Sequence, residues 1–186
     1  TNLRGIYWEV ERDTLIAIPL FIFMGIMLQR SKIAEDLLVT MAQLFGRVPG
    51  GLGISVVFVG ALLAATTGIV GATVVAMGLI SLPAMLRNKY SPSLATGTIA
   101  ASGTLGQIIP PSIVLVLLAD IFQGANEQAS QISGDLAPNP VSSVDLFAGA
   151  IIPGLILVTF YGIWIFLYSI MFPKNIPKKR YKIQKE

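Results

Sequence analysis

The sequence predicts an all-α membrane protein, and three observations carry the prediction. Of 186 residues, 54% are hydrophobic and only 12% charged, where a soluble domain carries about a quarter charged residues. Mean hydropathy is +0.74. The apolar residues fall in long blocks, so the roughly ten-residue alternation of a transmembrane barrel is absent and the spans should be helical.

The first block runs from Thr14 to Gln29, short for a span of about 20 residues. It is followed by SKIAEDLLVTMAQLFGR, in which Ile33, Leu37, Met41 and Leu44 recur at helical spacing opposite Lys32, Glu35, Asp36 and Gln43. That pattern suits an amphipathic helix lying at the membrane interface, the alternative being an ordinary linker helix. Residues 1–47 are thus a peripheral span plus an interfacial helix, a scaffold or arm.

The second block, Val48 to Leu86, contains no charge. As one helix it would measure about 58 Å, nearly twice the roughly 30 Å hydrocarbon core, so it must turn. The turn is expected at Thr66–Ala72, where glycines and threonines cluster. Each leg, Gly51–Ala65 and Thr73–Leu86, is then about 21–23 Å long. Legs that short bring the tip to a point within the bilayer, which predicts a re-entrant hairpin; the alternative is two short helices with a periplasmic turn. Non-helical backbone at that depth is tolerated only inside protein or beside a cavity.

The third block, Pro92 to Leu118, is interrupted by GTLGQIIPPS. Two prolines remove two amide donors and cost about 3 kcal/mol each in a helix interior. With Gly103, Gly106, Ser102, Thr104, Gln107 and Ser112 close by, this is more than a kink requires, and a discontinuous helix is predicted. Residues 48–120 form the hairpin and broken helix, 121–145 a polar loop, 146–173 a transmembrane helix and 174–186 a basic tail.

Charge placement gives the topology. No Lys or Arg occurs between Lys89 and Lys174, so the loop at 122–145, holding only Glu127, Asp135 and Asp145, is assigned to the periplasm and the tail to the cytoplasm. Eleven of the 13 basic residues then lie inside, with Arg4 and Arg12 outside. The start Thr1-Asn2-Leu3-Arg4 has neither initiator methionine nor signal peptide, so the chain reads as an internal fragment.

Absences narrow the chemistry. Without cysteine or histidine, disulfides, thiolate metal sites and Ser-His-Asp catalysis are excluded. An intramembrane protease needs paired carboxylates, a serine with a base, or histidine ligands at depth, and none is present. The protein is therefore not expected to be an enzyme, and a net charge of +3 gives no indication of nucleic acid. What the two broken elements offer instead is uncharged oxygen. Free carbonyls and hydroxyls suit a small cation such as sodium, and broken helix ends can face an anionic solute. No carboxylate is available for a proton relay in blocks two and three, which favours sodium over protons as coupling ion. The candidate binding residues are Thr66, Thr67, Gly68, Gly71, Thr73, Ser102, Gly103, Thr104, Gly106, Gln107, Pro110 and Pro111, with Thr67, Ser102 and Thr104 the candidate hydroxyl ligands for sodium. A passive channel or an assembly subunit with small-residue packing faces is the alternative reading.

The stretches LLAATTGIVGATVVAMGLISLPAML, ATGTIAASGTLGQIIPPSIVLVLL and DLFAGAIIPGLIL closely resemble the large membrane subunit of TRAP transporters, from about Leu15 to Phe172. The resemblance implies an elevator-type fold of two inverted repeats, of which this chain is the first. It also implies sodium-driven uptake of carboxylates or related organic acids across a bacterial or archaeal inner membrane. The implied partners are a small membrane subunit and a periplasmic substrate-binding protein; another inverted-repeat carboxylate carrier is the near alternative. Where the family's hairpin tip often reads Ser-Gly-Ser, this chain has Thr67, Gly68 and Ile69. The first hydroxyl is kept and the second is not.

Overall fold

The computed structural model describes residues 13–46, 48–134, 140–173 and 176, and every regular element among them is helical. In chain order these are α1 (Asp13–Arg30), α2 (Ile33–Leu44), α3 (Gly51–Thr67), α4 (Val70–Arg87), α5 (Pro92–Thr104), a 3-10 turn (Leu105–Gln107), α6 (Ile113–Ser133) and α7 (Ser143–Met171). Residues 1–12, Arg47, 135–139 and all of the basic tail except Ile176 lie outside the described residues, and so do the expectations that fall on them.

α3 is the centre. It packs against α1, α2, α4, α5, the 3-10 turn and α7, and thirteen of its 17 residues are buried. Glycines make this possible. A Cβ on Gly60 would stand 2.6 Å from the side chain of Ser102 on α5, and one on Gly53 would stand 3.0 Å from Ile165 of α7. Small residues on α3 let neighbouring backbones come close, which is how helices associate where no water drives them together. One side of α3 gives Leu52, Val56, Val59 and Leu63 to a cluster with Met77, Met85, Ala95 and Ile99. The other gives Ile54, Val57, Ala61 and Ala64 to a cluster with Leu105, Val158 and Ile165.

On α2 the buried residues are Ala34, Leu38 and Ala42, while Ile33 and Leu44 are exposed and Leu37 and Met41 are half-buried. Two sequence expectations are corrected. The hairpin turn is two residues long rather than seven: α3 continues to Thr67 and α4 begins at Val70. Thr66 and Thr73 are helical, and their hydroxyls donate to the carbonyls of Leu63 (2.8 Å) and Ile69 (2.9 Å). Finally, the stretch expected as a loop from 121 is helical as far as Ser133, and α7 starts at Ser143 rather than Leu146. Local bonds extend α6: Gln123 Nε2 donates to Glu127 Oε1 (2.8 Å) and Ser130 Oγ to the Asn126 carbonyl (2.8 Å). Gly134, at φ 74°, ends it.

By length and composition α4 and α7 can each cross a membrane; α3 and the stretch Pro19–Leu28 of α1 are apolar but shorter.

Candidate functional site

The site is built where two backbone breaks meet. At the first, Gly68 ends α3 in the left-handed region, at φ 62° and ψ 6°, with its N–H donating to the Ala64 carbonyl (3.0 Å). Ile69 is extended and α4 begins at once. Across this tip the hydroxyls of Thr67 and Thr73 stand 2.5 Å apart. Each hydroxyl also has a carbonyl to donate to, Ala64 for Thr67 (3.4 Å) and Ile69 for Thr73 (2.9 Å), so either one can donate to the other.

The second break follows the 3-10 turn. Ile108 and Ile109 both donate to the Leu105 carbonyl, at 3.0 and 2.8 Å. Pro110 and Pro111, joined by a cis peptide bond, have no N–H to give. Ser112 then starts α6: its Oγ donates to the Gln107 carbonyl (2.9 Å) and accepts from the Leu115 N–H (3.4 Å). Among the described residues no donor meets the carbonyls of Ile108, Ile109, Pro110 and Pro111, nor those of Ala65, Thr66 and Thr67 at the end of α3.

Tip and break touch directly. A Cβ on Gly68 would stand 3.3 Å from the Pro111 carbonyl oxygen, and one on Gly106 would stand 3.0 Å from the Ala64 carbonyl oxygen. Gln107 Nε2 donates to the Gly68 carbonyl (3.4 Å), while Gln107 Oε1 is buried without a partner. No charged side chain lies in Val48–Leu86 or Pro92–Leu118, and no group of three acidic side chains occurs among the described residues. The polar groups are therefore dipoles. The carbonyl ends of α3 and of the break carry partial negative charge, and the free N–H ends of α4 and α6 carry partial positive charge. Such a set can hold a small hard cation on oxygen and accept an anionic group on N–H.

The predicted residues divide into those that meet and those that do not. Thr67, Gly68, Thr73, Gly106, Gln107, Pro110 and Pro111 lie on the two segments in contact. Ser102 is fully buried, but against Gly60, about 10 Å along α3 from Thr67; its hydroxyl donates to the Ile99 carbonyl (3.0 Å). Gly103 packs on Val74 of α4. Thr104 is exposed, with its hydroxyl donating to the Ala101 carbonyl (2.7 Å). Thr66 is half-buried, and Gly71 is exposed with nothing within 4 Å of a Cβ. Of the three hydroxyls proposed for sodium, Thr67 sits at the tip, Ser102 in the α3–α5 contact and Thr104 on the surface.

Two contributors were not foreseen. Ser112, read only as one more polar residue, closes the break at both of its hydrogen-bonding positions. Gly25 of α1 lies against the tip, its Cβ position 3.1 Å from Thr67 Cγ2. A small cavity of about 50 Å³ separates α1 from the hairpin, lined by Ile22, Ile26, Leu63, Thr67, Thr73 and Ala76 among others. Its sequence signal is a single glycine in an apolar run, which is no signal at all.

The family model described as "Tripartite ATP-independent periplasmic transporter, DctM component" matches residues 4–185. The chain is 36% identical over 158 residues to the C4-dicarboxylate TRAP transporter large permease protein DctM of Rhodobacter capsulatus, covering 83% of this chain and 34% of that protein. Identity to the DctM large permease of Vibrio cholerae serotype O1 is 34% over 173 residues, or 93% of this chain and 34% of that one. The ectoine TRAP transporter large permease protein TeaC of Halomonas elongata is 31% identical over 171 residues, 92% of this chain and 36% of that one. The chain spans about a third of the length of these curated relatives. No solved structure matches it significantly.

Proposed function

The chain belongs to the DctM component family of tripartite ATP-independent periplasmic transporters, and from that premise we propose that it forms one repeat of a sodium-coupled permease for carboxylates or related organic acids. One observation carries the proposal: two breaks, in α3–α4 and in α5–α6, meet in a region free of charged side chains and leave backbone carbonyls without donors. Those carbonyls suit sodium, and the adjacent N–H ends of α4 and α6 suit a carboxylate. With no titratable carboxyl in either segment, protons have no carrier there.

In this reading the hairpin is re-entrant and the protein works as an elevator, with the tip and break carried together past a scaffold to which α1 and α2 belong. It resides in the inner membrane of a bacterium or archaeon as a multi-pass subunit, is not an enzyme, and acts with a small membrane subunit and a periplasmic binding protein. The relatives named above are designated for C4-dicarboxylates and for ectoine, so the binding protein, rather than this chain, sets the cargo.

The test is uptake of labelled dicarboxylates and 2-oxo acids by the complete permease with its partners, measured against sodium concentration. Thr67→Ala removes one polar contact, worth about 1–2 kcal/mol, and should raise the half-maximal sodium concentration roughly five- to thirty-fold. Gly68→Leu should abolish uptake, because its side chain would meet the Pro111 carbonyl. Uptake that is indifferent to sodium in the parent protein would overturn the coupling, and unchanged behaviour of both variants at normal expression would remove the site.

A further inference from the structure

We propose that Gln107 is a positioning residue for transport, whose side-chain amide ties the hairpin tip to the interrupted helix so that the two breaks move as one body. The tie is the bond from Gln107 Nε2 to the Gly68 carbonyl, spanning 39 positions of sequence at 3.4 Å. It is the one side-chain hydrogen bond between tip and break among the described residues. Gly68 needs it: its carbonyl leaves α3 in the left-handed conformation, and no backbone donor reaches it.

The surroundings hold both ends of the tie in register. On one side of Gln107, Gly106 lies against Ala64; on the other, Pro111 lies against Gly68, and a Cβ on either glycine would come closer to a carbonyl oxygen than ordinary contact, at 3.0 and 3.3 Å. The main chain of Gln107 is itself held, because its carbonyl accepts from Ser112 Oγ (2.9 Å). The other end of the amide argues that polarity here serves the tie. Gln107 Oε1 is buried with no partner, an arrangement that works against stability. A methionine of similar length would fill the same space without an orphaned oxygen. Filling space is therefore not what the residue contributes; the hydrogen on Nε2 is.

A donor requirement makes the proposal testable through pH. In Gln107→Glu the protonated carboxyl can donate its O–H to the Gly68 carbonyl, with its C=O standing where Oε1 stands now. The ionised form has no hydrogen to give and sets negative charge against that carbonyl. Because no charged residue occurs in Val48–Leu86 or Pro92–Leu118, the new carboxyl is the only group there that titrates.

The experiment is amide hydrogen exchange over residues 64–74 in the complete permease, in lipid nanodiscs, with each variant compared with the parent at the same pH. Gln107→Met should speed exchange at the tip about five- to tenfold at every pH, the effect of one lost bond on local opening. Gln107→Glu should match the parent at pH 5 and match Gln107→Met at pH 9. Parent-like exchange in both variants at both pH values would overturn the tie. Equal acceleration in both, independent of pH, would overturn it too, by showing that any change of side chain loosens the packing. Should Gln107→Met not fold, Gln107→Glu carries the test alone, its low-pH arm reporting the folded state. The inference rests on the transporter reading only for its purpose: exchange decides the tie whether or not the parent protein takes up a solute with sodium.

Discussion

α3 and α7 are equally apolar, and neither has a polar face, yet the fold treats them oppositely. Thirteen of the 17 residues of α3 are buried, whereas α7 buries only Gly154, Val158, Ile165 and Ser169 of its 29. Phe160, Trp164 and Leu167 of α7 point outward. Hydropathy says only that a helix avoids water. Which of the two packs inside this fold goes with side-chain size: α3 carries Gly51, Gly53, Gly60, Ala61 and Ala64 where others press on it, and α7 carries large residues outside its contacts with α3, α5 and α6. Even its contact with α3 is made through glycine, since a Cβ on Gly50 would stand 3.2 Å from Ser169.

The strongest way to break this contrast is to place the same large side chain on each helix. Gly60→Leu drives carbon into Ser102, which a Cβ alone would approach to 2.6 Å; overpacking of that kind should cost about 3 kcal/mol or more. Gly162→Leu on α7, where a Cβ meets nothing within 4 Å, should change stability by no more than about 0.5 kcal/mol. Thermal unfolding of the complete permease in detergent reads both, and equal losses would show that the two helices are not different environments. A smaller effect is expected at the tip. Thr73→Val keeps shape but removes the hydroxyl paired with Thr67, and should cost about 1–2 kcal/mol in the same measurement.

A further small loss concerns how α3 begins. Gly50 offers no side-chain cap, and the Gly53 N–H donates instead to the Tyr90 hydroxyl, at 3.4 Å. Tyr90→Phe should cost about 1 kcal/mol, the ordinary worth of a cap. Burial raises the Tyr90 phenol above its usual value of 10.0, with the Gly53 hydrogen bond acting the other way. A raised folded-state pKa leaves stability unchanged below about pH 10 and erodes it above, as the unfolded chain releases its proton first. The parent should therefore lose stability above pH 10 more steeply than the phenylalanine variant, and identical alkaline slopes would show that the phenol plays no part.

The positions of both breaks were legible because glycine and proline act locally: Gly68 takes a conformation other residues avoid, and Pro110–Pro111 cannot supply N–H groups wherever they lie. What was not legible depended on facing. Ser102 and Thr104 look like partners in the sequence, but two positions on a helix differ by about 200°, and one hydroxyl is buried while the other is exposed. The pairing of Gln107 with Gly68 joins distant segments and leaves no local trace. The extension of α6 to Ser133 was hidden by residues that individually favour loops; Gln123, Glu127 and Ser130 overcome that preference through bonds to one another and to the helix backbone. On α2 the buried contact is made by Ala34, Leu38 and Ala42, a face that the stripe of large residues gave no reason to single out.

The close fit of α3 also sets a schedule for biosynthesis. A ribosome adding roughly 5–20 residues per second delivers Ser102 about two to eight seconds after Gly60, and Ser169 about six to twenty-four seconds after Gly50. Until then the glycine notches of α3 have no matching side chains, and whatever receives the nascent helix, translocon wall or lipid, must cover them. α5 closes the notch at Gly60 and α7 the one at Gly50, so the centre of this fold is made well before the helices that seal it.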